Sequence, residues 1–228
     1  MISIMASSVK TFVFMDLEAT GVNKDLPKIT EICLVAVHVY SLENPTTDDS
    51  GKVKLPRVLD KLCLCVDPGK EITPKASEIT HLSNESLEDN EKKVFNYDLV
   101  SLINGFLSRQ AQPVCLVAHN GFFYDFPLLK TELQQQETDL SSSLICLDSL
   151  QALRKLDRQE NGSNNPIKGY YSLPELYRRA FGKEPVDCHY AEGDVLTLIM
   201  VFLSKATAIL ETVSTYCKRW GEIDAMYS

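Results

Sequence analysis

Thr11-Phe12-Val13-Phe14-Met15-Asp16-Leu17-Glu18 is an apolar run that ends in two carboxylates. The residues from Thr11 to Asp16 predict a buried strand, because a strand packed on both sides reads as a nearly continuous hydrophobic stretch. Asp16 and Glu18 are two positions apart, so on that strand they share a face. Ionised carboxylates placed side by side in a partly buried site repel, and each loses hydration. Either the strand simply reaches water here, or a cation compensates. Paired carboxylates with open positions suit Mg²⁺ or Mn²⁺.

Outward from this run, Thr30–Tyr40 predicts a second strand and Val58–Val66 a third, with Cys63 and Cys65 on one face. Between them, Glu43–Lys54 carries Asn-Pro and Asp-Asp-Ser-Gly and is a loop by its turn chemistry. Three early strands without long helical intervals imply an antiparallel meander. The period then changes. Leu99, Leu102, Ile103 and Phe106 recur at helical spacing, followed by a strand at Val114–Ala118 and a helix at Phe126–Gln136. A strand at Leu144–Leu147 and a further helix come next. The stretch Arg158–Gly169, rich in Asn, Gly and Lys, is the expected mobile loop. From Ala191 to about Tyr216 the chain reads as helical, with Val195, Leu198, Ile199 and Phe202 on the apolar face. The fold class is therefore α/β, a mixed sheet of an antiparallel meander plus parallel strands, flanked by helices. Residues 1–228 make a single domain, with residues 1–9 expected to be a flexible N-terminus.

The bulk numbers agree: 228 residues, 44% hydrophobic and 24% charged, suit one soluble globular domain. The apolar stretch Ile32–Tyr40, interrupted by His38, falls short of a bilayer span, and the first residues lack the basic flank of a secretory signal. A soluble protein, neither secreted nor membrane-anchored, is expected. Seven cysteines with no Cys-x-x-Cys pair, five of them inside apolar runs, read as small buried thiols in a reducing compartment. A net charge of −8 argues against coating nucleic acid by charge alone. It leaves room for an enzyme that grips a short piece through metals, backbone amides and a few basic side chains.

Two further acids stand out. Asp194, in His189-Tyr190-Ala191-Glu192-Gly193-Asp194-Val195, lies one turn before Leu198 on the core side of the last long helix. His189 is five positions earlier, about 140° away on an ideal helix. Both can face one site if His189 sits on the loop entering the helix. There it could be a general base beside a metal site, or simply a surface histidine. Asp125 follows a strand and opens a helix among aromatics, where the helix dipole alone would favour it.

Asp-x-Glu, Asp, and His-x₄-Asp in this chain order form the motif set of the DEDDh exonucleases, and the chain resembles the three-prime repair exonuclease family. The resembling segments are 14–21 (Phe-Met-Asp-Leu-Glu-Ala-Thr-Gly), 77–83 (Ser-Glu-Ile-Thr-His-Leu-Ser), 115–121 (Cys-Leu-Val-Ala-His-Asn-Gly), 124–129 (Tyr-Asp-Phe-Pro-Leu-Leu) and 191–195 (Ala-Glu-Gly-Asp-Val). They spread over essentially the whole chain. Within the family the resemblance is to a short paralogue, which shares the runs 41–45 and 48–51 and lacks a proline-rich insert and membrane anchor.

The resemblance implies a ribonuclease-H-like sheet and a 3′→5′ DNA exonuclease that releases nucleoside 5′-monophosphates from single-stranded or frayed ends. It implies that Asp16, Glu18, Asp194 and Asp125 hold two Mg²⁺ ions, with Mn²⁺ able to substitute, and that His189 is the general base. Val22 and Ile79 would pack against terminal bases, Tyr124 would contact a phosphate, and Glu192 the terminal nucleotide. It further implies a homodimer paired through an edge strand that Val58–Val66 could supply, and nuclear or cytoplasmic residence. Two departures bear on substrate grip: Phe123 stands where relatives carry Asp or Arg, and the loop before Tyr171 has Lys168 where the short paralogue has several arginines. An exoribonuclease of the same superfamily would share all five catalytic residues. A phosphatase using Asp16 as nucleophile leaves His189 unexplained, and a non-catalytic nucleic-acid-binding module leaves the complete acid set unexplained.

Overall fold

Odd and even residues of the opening strand go into different cores. In the computed structural model, which describes residues 9–227, β1 (Thr11–Ala19) runs through the middle of the sheet and is buried on both faces. Phe12 and Phe14 enter one core, Val13, Met15 and Leu17 the other. Asp16 and Glu18 continue the even row. The expected flexible N-terminus lies outside the described residues, apart from Val9, which is buried.

β1 pairs antiparallel with β2 (Ile29–His38), and β2 antiparallel with β3 (Asp60–Cys65). On its other side β1 pairs parallel with β4 (Val114–Ala118), and β4 with β5 (Ile145–Asp148). A two-residue strand, β6 (Lys218–Arg219), closes the order β3-β2-β1-β4-β5-β6. The meander and the mixed sheet are as the sequence implied. The helices are α1 (Val39–Glu43), α2 (Pro74–Thr80), α3 (Asn84–Asp89), α4 (Tyr97–Arg109), α5 (Asp125–Gln135), α6 (Ser149–Asn161), α7 (Leu173–Phe181), α8 (Ala191–Ser204) and α9 (Ala206–Tyr216). α4, α5 and Trp220 cover the Met15 face, while α6, α7, α8 and α9 cover the Phe14 face.

Several expectations are corrected. The second strand stops at His38, whose side chain caps the amide of Tyr40 and starts α1. The third strand is shorter than Val58–Val66, and Val58 is 78% exposed. Leu102 is also exposed, because the buried stripe of α4 runs Leu99, Val100, Ile103 and Leu107. α6 continues to Asn161 and ends at Gly162 in a left-handed cap, so the irregular segment starts four residues later than expected. The helical tail is two helices bent by 100° at Lys205, and among the described residues no single helix is long and apolar enough to cross a membrane. Cys33 and Cys63, directly opposite on β2 and β3, are joined as a disulfide, where all seven cysteines had read as thiols.

α8 runs back along β1 in the opposite direction. Phe202 packs on Phe12 and Phe14, with ring centroids 5.7 and 5.2 Å away. Eight residues of helix rise about 12 Å and four of strand about 13 Å. Seating Phe202 on Phe14 therefore brings Asp194 to the level of Asp16 and Glu18.

Candidate active site

β1 outruns its parallel neighbour. Its pairing with β4 ends at Phe14 opposite Val117, while its pairing with β2 continues to Ala19. Asp16 and Glu18 thus sit at the carboxyl end of the parallel strands, where open α/β sheets place their ligands. The register slips between Glu18 and Ala19, and such bulges re-aim side chains next to sites. Past the end of β4, the vacated side of β1 is filled by the start of α5, where Asp125 accepts a hydrogen bond from the Leu17 N–H. Gly121 permits that approach, because a Cβ there would lie 2.6 Å from Ala118 Cβ and 2.8 Å from the Phe126 ring. Asp148, missed in the sequence, holds the same turn: it accepts from the amides of Asn120 and Phe122 and caps α6 through Leu150 and Gln151. His119 ties the turn to the segment after α6, its Nε2–H donating to Tyr171 O (2.8 Å) while Nδ1 accepts from Ser149 Oγ (2.9 Å). Burial holds its pKa down to about 4, so it is a neutral strut.

His189 lies on the loop entering α8, the placement that lets it share a site with Asp194. The loop turns through two left-handed residues, Asp187 (φ 55) and His189 (φ 63). It folds back onto Gly193, where a Cβ would lie 2.0 Å from the Asp187 carbonyl oxygen. The His189 N–H donates to Asp194 Oδ2 at 3.1 Å, and the Tyr190 ring lies 6.2 Å from that of His81, just beyond α2. Ligand atoms of Glu18, His189 and Asp194 all fall within 4.8 Å of one another.

The electrostatics are one-sided. Burial, then the charges of Asp125 and Asp194, push Asp16 well above the usual carboxylate range. Burial and the charge of Asp194 push Glu18 up to about 8. Burial takes Asp125 to about 7, against the pull of its backbone donors, and also raises Asp194. No Lys or Arg is among the causes that shift these four groups. A convergent set of carboxylate oxygens with an imidazole at its edge is the donor chemistry that hard divalent ions take. The residues fit a divalent metal site.

The remaining candidates surround this centre unevenly. Val22 stands exposed on the turn after β1, and Tyr124 donates its hydroxyl to Gly21 O at 2.6 Å, which anchors that turn. Ile79 lies on α2, whose entry is tied to the end of β1 by Thr73 N–H donating to Thr20 O at 2.9 Å. Phe123 is 67% exposed and does not join the Phe122–Phe126 ring pair. Glu192 is in an ion pair with Lys61 of β3 at 2.6 Å. Lys168 lines a cavity of about 650 Å³ with His119, Arg154 and Tyr171, and none of the four acids lines it. Glu31 was missed: directly opposite Glu18, it accepts the Ala191 N–H at 3.0 Å. A lone Glu inside the apolar run of β2 was the available signal.

An exonuclease family model of the RNase T type matches residues 13–202. Three prime repair exonuclease 2 of Mus musculus is 52% identical over 219 residues, covering 96% of this chain and 93% of the relative. Three-prime repair exonuclease 1 of Homo sapiens is 44% identical over 225 residues, covering 96% and 71%. Among solved structures, the nuclease domain of 3′hExo, described as a DEDDh family member bound to rAMP, superposes with a TM-score of 0.64 at 9% identity, covering 88% of this chain and 94% of that one. A structure of exonuclease I gives a TM-score of 0.65 at 18% identity, covering 89% of this chain and 42% of that one. These two likenesses concern the fold. Matched by that family model and by relatives of 44–52% identity over 96% of its length, the chain belongs to the three-prime repair exonuclease family.

Proposed function

We propose that the protein removes nucleotides one at a time from 3′ ends of DNA, releasing nucleoside 5′-monophosphates and preferring unpaired ends. One observation carries this reading: Glu18 of β1 and Asp194 of α8 converge with an exposed histidine on a loop, next to Asp16 and to Asp125 of α5, whose charge acts on Asp16. Asp16, Glu18, Asp125 and Asp194 would hold divalent ions, two Mg²⁺ in our reading, and such ions supply charge neutralisation at the scissile phosphate.

The chain's own groups do the rest. His189 is exposed beside Glu18 and Asp194, and takes the proton from the attacking water. The bond from its own N–H to Asp194 fixes where the imidazole starts. Val22, Ile79 and Phe123 offer apolar surface to the last bases, and the Tyr124–Gly21 bond keeps the Val22 turn in place. Glu192 would reach the terminal nucleotide by leaving Lys61, and Lys168 would meet the strand further from its end. β3 is an edge strand that lines a cavity together with Val94 and Leu102, 49% and 52% exposed, surface that a second copy would cover to make a homodimer.

A 3′-labelled oligonucleotide incubated with protein and Mg²⁺ should yield labelled mononucleotide, and chelator should stop it. Intact oligonucleotide in both tubes would overturn the reading. A substrate with a single terminal 2′-hydroxyl separates DNA from RNA preference.

A further inference from the structure

Glu31 is a carboxylate beside the catalytic acids that the chemistry above leaves without a task. It interrupts β2 between Thr30 and Ile32, and the register sets it directly opposite Glu18. Like charges directly opposite one another on paired strands are destabilising. Burial raises its pKa as it does those of its neighbours. A side chain kept at such a position must supply something else.

Its Oε2 accepts the N–H of Ala191, the first residue of α8, at 3.0 Å. The first amides of a helix have no partner inside the helix, and a negative charge beside them is favourable. The segment just before that amide is Asp187-Cys188-His189-Tyr190, with two residues in left-handed conformation. Non-glycine residues hold such angles only when their surroundings over-determine them. Asp194 holds the loop from the helix side. Glu31 ties the point where the loop enters α8 to the sheet, through a strand whose register with Glu18 is fixed.

We propose that Glu31 is a positioning residue of the catalytic loop: by fixing the first amide of α8 to β2, it sets His189 and Asp194 against Glu18. This rests on the exonuclease reading, in which those three groups act together. The test compares Glu31→Ala, Glu31→Leu and Glu31→Gln with the parent on a single-stranded oligonucleotide in saturating Mg²⁺. Amide hydrogen exchange over residues 187–194 is followed in parallel.

Misplacement of this order costs about 10–100-fold. The Ala and Leu variants should lose that much in kcat with little change in KM, and residues 187–194 should exchange faster. The Gln variant keeps an acceptor oxygen and should return both kcat and protection to within a few-fold of the parent. The Leu variant fills the volume, so a loss shared by Ala and Leu is not a cavity effect. Parental kcat in the Leu variant, or a Gln variant as damaged as Leu, would overturn the proposal. Absence of nucleotide release from the parent would sink the exonuclease reading instead. Unchanged exchange in the Leu variant counts against Glu31 in either case.

Discussion

Asp16 and Glu18 are held where ordinary carboxylates would shed their charge, and that has a measurable sign. Asp16, Glu18, Asp125 and Asp194 all have folded pKa values above their ordinary ones, so the folded protein keeps protons that the unfolded chain releases. Without metal, stability should be fullest below the ordinary carboxylate range. It should fall as pH rises through Asp125 near 7 and Glu18 near 8. In chelator, the melting temperature should drop across that window, Mg²⁺ should restore it, and Asp16→Asn should flatten the decline while abolishing nucleotide release. A melting temperature indifferent to pH in chelator would contradict this account. His189→Ala should lower kcat by about 10²–10⁴-fold, the usual contribution of a general base, and leave DNA binding nearly intact. If the acidic limb of the pH–rate profile survives that substitution unchanged, another group is the base. Of these residues, Asp16, Glu18 and Asp194 stood out because a carboxylate in an apolar run or stripe breaks a local rule, while Asp125 and His189 each had an ordinary local explanation and were carried by the motif set. What Glu31 and Asp148 hold was not legible, because their partners, the amides of Ala191, Asn120 and Phe122, are distant in sequence.

At the scale of elements, the loop before α8 depends on Gly193. A methyl group there would meet the Asp187 carbonyl at 2.0 Å, and a backbone carbonyl has no rotamer to retreat to. Gly193→Ala should keep the sheet and core, seen in an unchanged far-ultraviolet spectrum, yet lose most of its turnover. Wild-type kcat would show that the loop can move without harm. β3 carries the other test at this scale. An unpaired edge beside exposed apolar residues is an association hazard unless it is covered. Sedimentation should find a homodimer, and Leu64→Lys on β3 should shift it toward monomer; a wild-type monomer at micromolar concentration would refute the pairing. The elements legible in the sequence have long, one-sided or wholly buried patterns: β1, β2, β4, α4 and α8. Those it hid are short or lack punctuation. α2 and α3 are held by local caps at Thr73 and Ser83. β6 is two residues long, and the bend at Lys205 has no Gly or Pro to announce it.

For the whole molecule, a net charge of −8 means that grip on a polyanion comes from a few groups. Binding should be modest and weaken with salt. Phe123, exposed beside Tyr124 and Asp125, offers a face on which an unpaired base can stack, worth roughly 1–3 kcal/mol. Phe123→Ala should therefore raise KM for single strands more than for blunt duplexes, and equal effects on both would deny it a stacking role. The fold class was readable because two cores on one sheet force the central strand to be apolar on both sides. The position of Glu31 opposite Glu18 and the Cys33–Cys63 pairing were not, since both follow from which strands become neighbours. The matched lengths of β1 and α8 have a consequence in time. Asp16 and Glu18 are made long before Asp194, and the helix that carries Asp194 must dock along the first strand before the centre exists. A chain cut before Ala191 lacks the helix that carries Asp194, so the centre is assembled only once α8 has docked along β1.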